Sequence, residues 1–394
     1  MRRRRSEKVA GSLSKRDLVR RGLAIFVGWS APQFSAFIDH FDGESLRWWS
    51  VKRPEVLCEQ FDYLSAGQRK RLLALHRRGA EKLAEQVASW PGEVILYDSK
   101  WYPPGLGDLS APPAAVHIRG DLRSLLRPGL AVVGSRKIGV SAASSARRIL
   151  EPAVRGGMVI VSGGALGADT VAHRCAVDLG AATISVLPCG LCNLAPKSNR
   201  QLFSEIADGR GALISEYPPQ RGVRKYHFKR RNSLIAAISR GVLVLRAGRK
   251  SGTMLTVEAA DKLGRPLGAM PGTPQDPLCR GCHHVLRHGG RMIAEPDDLR
   301  SWWETLAPEV TPTEEANDEV TAASSSISLP DCEVLRCATG LLDEEGAFSM
   351  EALARETGKS AAELQTVLLG HELSGVIERV AGGDRYRLQI GDYC

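Results

Sequence analysis

The chain has 394 residues, 43% hydrophobic and 25% charged, with a formal net charge of +9. These proportions argue against wholesale disorder, and no apolar run reaches the roughly 20 residues a membrane helix needs, so a soluble protein with no membrane partner is expected, with the cytoplasm as its compartment. Nine cysteines, an odd number scattered from Cys58 to Cys394, do not resemble a disulfide framework, and the positive balance favours a polyanionic partner.

In chain order, residues 1–95 read as a small helical domain. Apolar residues recur at three- and four-residue spacing in "LSAGQRKRLLALHRRGAEKLAEQV", with Ser65 as a cap. The turn-rich piece that follows holds Pro103, Pro104, Pro112 and Pro113, which suit an extended lead-in to a sheet. Residues 96–305 then alternate apolar runs with helical patterns. Strands are predicted at 130–133, 158–161, 183–187, 212–214, 241–245 and 266–270, and helices at 141–155, 169–179, 197–206, 231–239 and 253–263. Continuously apolar strands imply burial on both faces, so the expected fold is α/β: a parallel, doubly wound, Rossmann-like sheet covered by helices. Residues 306–330 carry Glu309, Glu314, Glu315, Asp318 and Glu319 without a basic residue, the composition of a flexible acidic linker. Residues 331–394 read as helix, glycine-containing turn, helix and two short strands around Gly382 and Gly383, the order of a winged helix.

Four stretches carry chemistry. "SGGALGADTVAH" (162–173) is a glycine turn between strand and helix, but the first glycine of a dinucleotide fingerprint is replaced by Ser162. The next strand ends at Cys189 without an acidic ribose ligand, and Asp169 in the first helical turn would repel a phosphate. No phosphate-binding G-x-x-x-x-G-K-[ST] loop occurs either, so no cofactor is expected. "RGVRKYHFKRRN" (221–232) reads as a basic loop, its cations interleaved with Tyr226, His227 and Phe228, as single-stranded nucleic acid requires. "GRKSGTMLTVEAADKLGRP" opens a helix at Ser251, Gly252 and Thr253, and "VGSRK" places Gly134, Ser135, Arg136 and Lys137 after the first of the parallel strands. In an open parallel sheet all these turns lie along the carboxyl edge, where they can form one anion track.

Two further groupings compete with that reading. Cys189 with Cys192 and Cys279 with Cys282 both follow predicted strands and are candidates for a shared zinc site, although their separation exceeds that of compact zinc ribbons. Ser162, Asp169, His173 and Glu258 are candidates for acid–base chemistry, but their spacing suits core and capping roles better.

Together the motifs "VGSR", "SGGALGADTVAH", "GALISEYP", "FKRRNSLIAAIS", "SGTMLTVEAA" and "MPG", in this order, resemble the DNA-processing protein A (DprA/Smf) family. The resemblance implies an extended Rossmann-like core, an N-terminal helical domain of the sterile-alpha-motif type and a C-terminal winged helix. It further implies a non-enzymatic protein that binds single-stranded DNA, forms a homodimer through the Rossmann-like domain, displaces single-strand-binding protein and loads RecA during natural transformation. Carried over by motif, Arg136, Gly163, Gly164, Phe228, Arg231, Asn232, Ser251, Gly252 and Thr253 would line the DNA site. Lys225, Lys229 and Arg230 join them on local charge and aromatic spacing. The chain departs from the family pattern at Ser233, where a second arginine is usual, and at His283, where asparagine is usual. The competing class is an enzyme of the nucleoside-monophosphate phosphoribohydrolase (lysine decarboxylase-like) type, whose motif Gly252, Thr253 and Glu258 echo loosely. A third reading, a winged helix that reads duplex DNA, is disfavoured by Glu351, Glu356, Glu363 and Glu372 on its helices.

Overall fold

In the computed structural model the described residues are 13–307, 347–357, 364, 368, 377–379 and 385–388, and they belong to two compact units that divide at Glu309. The first unit begins with five helices: α1 (Lys15–Val27), α2 (Ala31–His40), α3 (Pro54–Gln60), α4 (Ala66–Arg78) and α5 (Ala80–Ala88). Ser30 and Ser65 each cap the next helix through a capping box with Gln33 and Gln68, which fixes where α2 and α4 start. Phe34, Phe37, Trp48 and Leu72 fill the core between the helices, and that core continues onto Val94, Leu96, Ala114 and Ala115 at one edge of the sheet.

The sheet follows, with β1 (Glu93–Leu96), β2 (Ala115–Gly120), β3 (Gly129–Val133), β4 (Val159–Ser162), β5 (Thr183–Val186), β6 (Ala212–Ser215), β7 (Gly241–Val244), β8 (Leu267–Ala269) and β9 (Arg291–Met292). Their spatial order is β1-β2-β6-β5-β4-β3-β7-β8-β9, and β3 to β9 are parallel. All six predicted strands are present. The proline-rich lead-in does more than approach the sheet: it joins β1 to β2, which pair with each other in antiparallel register, and β2 pairs in turn with β6, also antiparallel.

Alternate strand residues feed two helical layers, as burial on both faces requires. Ala131, Val133, Val161, Val242 and Val244 face α9 (Lys225–Ile238) and α10 (Gly252–Lys262) through Leu234, Ile235 and Val257. Leu130, Val132, Ile160 and Leu243 face α6 (Val140–Arg155), α7 (Ala168–Asp178) and α12 (Pro296–Leu306) through Ile149, Leu150, Cys175 and Trp302. On that side too, α8 (Arg200–Asp208) sets Leu202, Phe203 and Ile206 against Leu187 and Leu213. Helix α11 (Arg280–Arg287) buries Cys282 and Val285 beside α9 and α10. The predicted elements did not include β1, β2, β9, α11 or α12; β9 is only two residues long, and α11 is a short helix of eight.

In the second unit, strands Ala347–Ser349, Arg385–Leu388 and Ile377–Arg379 form a small antiparallel sheet in that order beside helix Met350–Thr357. Phe348 and Tyr386 stack at 6.0 Å in its core. These are parts of the expected winged helix; its turn, most of its second helix and nearly all of the acidic stretch 306–330 lie outside the described residues. Among the described residues no helix is long and apolar enough to cross a membrane.

Candidate nucleic-acid interface

Strand order reverses between β3 and β7. The chain leaves β3 for α6 on one face and β7 for α10 on the other, so the two loops part and leave a crevice at the carboxyl edge, the place where ligands collect in open parallel sheets. The loop after β3 is fastened there on both sides. Ser135 N–H donates to Arg246 C=O at 2.6 Å, Ala168 N–H donates to Ser135 C=O at 3.1 Å, and the Arg246 guanidinium holds Ile138 C=O while pairing with Asp276 at 2.5 Å. A loop so fixed presents the exposed side chains of Arg136 and Lys137 from a rigid base.

The segment expected as a basic loop from 221 to 232 is a helix from Lys225 onward: α9 begins six residues before its predicted start. Its inward stripe is His227, Arg231, Leu234 and Ile235, the i, i+4, i+7, i+8 spacing of a buried helix face, in which two polar residues hide the period. His227 stacks on Tyr217 at 4.0 Å and its Nδ1 lies 2.9 Å from Pro188 C=O. Arg231, only 6% exposed, donates through Nη1 to the carbonyls of Gly163 and, at 3.2 Å, Val186. Burial pushes its guanidinium pKa down, a shift the Asp169 carboxylate opposes and Arg136 reinforces. Burial likewise pushes the Asp169 carboxyl up against the pull of Arg231 and of the Ala165 N–H, which donates to it at 3.2 Å. Asp169 is therefore Arg231's buried counter-charge under the glycine turn.

Several residues of the expected DNA lining turn toward the protein. Gly163 and Gly164 are buried, and what they accommodate is protein: a Cβ on Gly163 would stand 1.6 Å from Arg231 Nη1, while Gly164, at φ +65°, would meet Phe203 at 2.5 Å. Arg231 and Asn232 also turn inward, Asn232 Nδ2 donating to Gly252 C=O at 3.2 Å and so joining α9 to the start of α10. Arg230 is committed as well, to Glu216 at 2.8 Å and to Ala111 C=O at 2.8 Å.

What remains on the surface is a connected set. The Phe228 ring lies near two guanidinium groups, Arg136 at 5.7 Å and Arg231 at 5.9 Å from its centroid. Lys225 and Lys229 are exposed one turn apart beside it. Across the crevice, Gly252 is exposed with open space where a side chain would be, and Ser251 occupies the N-cap position of α10 without a side-chain cap bond, its hydroxyl having no hydrogen-bond partner. Thr253 is half-buried behind it, and exposed Arg249 and Lys250 extend the positive rim. Arg136, Lys137, Lys225, Lys229, Arg249 and Lys250 have no carboxylate partner among the described residues. Lys137, Arg249 and Lys250 were legible only as neighbours of the turn motifs.

The competing groupings separate. The cysteine pairs follow β5 and β8, with β4, β3 and β7 between them, a distance of ~19 Å at the usual strand spacing. Cys279 Sγ instead donates to Asp276 at 3.3 Å, Cys282 is buried against Val244 C=O, and burial pushes both thiols up. Among the described residues no group of three or more histidine, cysteine or acidic side chains is placed to hold a metal. Ser162 donates to Val132 C=O at 2.6 Å and His173 Nδ1 lies 2.8 Å from Thr183 Oγ1, both fully buried, whereas Glu258 is exposed along α10.

Burial sets one pH dependence. It pushes His173 down to about 3, with Arg231 adding to the shift, and His117 down to about 4 against a hydrogen bond to Pro91 C=O. Because the unfolded chain binds these protons near pH 6.5 and the folded one does not, the stabilisation is complete above about pH 6.5 and declines as pH falls toward about 4. Each histidine should contribute a slope of up to about 1.4 kcal/mol per pH unit in that window. Urea unfolding between pH 7 and pH 4 checks this, and His173→Gln should flatten the profile; an unchanged slope would remove His173 as its source.

The comparisons with known proteins agree with this geometry. Residues 93–304 match the family model described as DNA recombination-mediator protein A, and residues 340–383 match the DprA winged helix domain. The chain is 31% identical to Protein Smf of Escherichia coli (strain K12) over 85% of its own length and 88% of that protein's. It is 36% identical to the DNA processing protein DprA of Streptococcus pneumoniae over 56% of its length and 77% of that protein's. The X-ray structure of the Streptococcus pneumoniae protein superposes with a TM-score of 0.61 at 27% identity, covering 73% of this chain and 98% of that one.

Proposed function

The chain belongs to the DNA recombination-mediator protein A family, and from that premise we propose that its carboxyl-edge crevice binds single-stranded DNA without catalysis. The observation that carries the reading is the set of exposed cations without a carboxylate partner among the described residues, Arg136, Lys137, Lys225 and Lys229, beside the Phe228 ring. Cations track a phosphate backbone, and an aromatic face stacks any base, so the combination suits a single strand of arbitrary sequence better than a duplex, whose bases are already stacked. Arg231 and Asn232 act by holding α9 against the sheet, and Ser251, Gly252 and Thr253 supply a phosphate nest at the start of α10. Loading of RecA, displacement of single-strand-binding protein, a homodimer through the Rossmann-like domain and a role in natural transformation complete the proposal. These rest on the family resemblance. A phosphoribohydrolase reading is disfavoured because Glu258 follows Thr253 by more than one turn of α10, farther than in the motif it echoes.

Fluorescence anisotropy with single-stranded and duplex oligonucleotides over a salt series tests the reading. Tighter binding of the single strand, with log K falling linearly in log salt, is expected. Equal or tighter binding of duplex would sink it, as would release of free base from nucleoside monophosphates lost in Glu258→Gln.

A further inference from the structure

On the far side of the first turn of α9 lies a second concavity, between the helical layer and the sheet edge. It measures about 440 Å³ and is walled by the end of α1, Gln33 and Arg71 on one side and by Glu216 to Pro218, Arg221 and Tyr226 on the other. That is within the range that holds a small ligand. Its charges are unbalanced. Glu216, the carboxylate in its wall, is already paired with Arg230, whereas Arg71 and Arg221 face the space with no carboxylate partner among the described residues. The two cations are close enough to oppose one another: burial lowers the Arg71 pKa and Arg221 lowers it further. Arg71 is also anchored, its Nε donating to Val27 C=O at 2.8 Å. Tyr226 supplies an aromatic face that is 64% exposed, set edge-on at 4.5 Å against the buried His227, which itself stacks on Tyr217.

A pair of guanidinium groups, one of them anchored, without a carboxylate partner among the described residues calls for an anion, and an open aromatic ring beside them calls for a flat apolar partner; a nucleotide supplies both. Helical geometry then connects the two surfaces. At about 100° per residue, Lys225 and Lys229 lie on the arc of α9 between Phe228 on the crevice side and Tyr226 and Arg230 on the other. We propose that this cleft is a second nucleotide subsite, which takes one unit of a bound single strand after it has crossed Lys225 and Lys229, the phosphate between Arg71 and Arg221 and the base against Tyr226. The helical layer thereby becomes part of the DNA footprint. This rests on the crevice binding single-stranded DNA.

The test compares oligothymidylates of about six and about twenty nucleotides, spanning the site sizes of single-strand binders. Tyr226→Ala and Arg221→Gln change accessible side chains, and unaltered thermal midpoints check that the fold is kept. Each should weaken the longer oligomer about tenfold and leave the shorter one, held in the crevice, unchanged, while Tyr226→Phe should bind as wild type. The Arg221→Gln salt slope should be shallower by about 0.7. Wild-type affinity of both variants for the longer oligomer, or equal weakening for both lengths, overturns the subsite and leaves the crevice standing. Failure of the unmodified protein to bind either oligomer overturns both.

Discussion

Arg231→Met is expected to lower the free energy of unfolding by about 3–5 kcal/mol, because two buried carbonyls lose a charged donor at roughly 1.5–3 kcal/mol each. The side chain has three internal commitments: Gly163 C=O, Val186 C=O and the field of Asp169. Methionine preserves much of the volume but leaves two buried carbonyls without this donor and a buried carboxylate without its counter-charge. Without Arg231 the upward push of burial on the Asp169 carboxyl loses one of its opponents, so part of the lost stability should return in the double variant with Asp169→Asn. Gly163→Ala approaches the same keystone from the other side, since its Cβ needs the space that Arg231 Nη1 fills. Chemical denaturation measures both. A variant at Arg231 that keeps the wild-type midpoint but no longer binds DNA would mean that the guanidinium swings out to a phosphate, and the assignment given above would be wrong.

The opposite behaviour is expected of Arg136 and Lys225. Both are exposed and lack a carboxylate partner among the described residues, so Arg136→Glu with Lys225→Glu should leave the thermal midpoint within a degree or two, yet weaken single-stranded DNA by a hundredfold or more at about 0.1 M salt. Two lost phosphate contacts should also make the salt dependence shallower by about 1.4 in log–log slope. Anisotropy titrations at several salt concentrations separate these effects. Weakening without a change of slope would assign the loss to the Phe228 ring, which Arg136 covers, instead of to the backbone contacts.

The contrast between these residues bears on how far the sequence could be read. Strands β3 to β8 were legible because apolar residues occupy both faces, and the crevice was legible because parallel topology brings every strand-to-helix turn to one edge. Side-chain direction was not legible. In "FKRRN" the three cations look equivalent, yet Lys229 faces solvent, Arg230 turns to Glu216 and Arg231 to the core. One helical turn sends neighbours about 100° apart, and the loop reading erased that rotation. Cations at a helix start run against the helix dipole, which is why the charge suggested a loop; His227 and Arg231 hold the helix by burial despite it. Whether the two cysteine pairs meet was not legible for the converse reason: distance across a sheet depends on strand order, and local spacing does not contain it.

Strand order also has a consequence in time. Strand β3 pairs with β4, its neighbour in sequence, but also with β7, where Leu130 meets Gly241 across β4, β5, β6 and the helices between them. Pairings that close so long a stretch of chain are slow, because its entropy is lost before the contacts that compensate it have formed. During synthesis, then, Arg136 emerges long before Arg246 arrives to fasten its loop, and α9 before α10 gives Asn232 its anchor. The crevice is expected to mature late and all at once, so that DNA binding by a refolding chain should lag behind the recovery of helical signal.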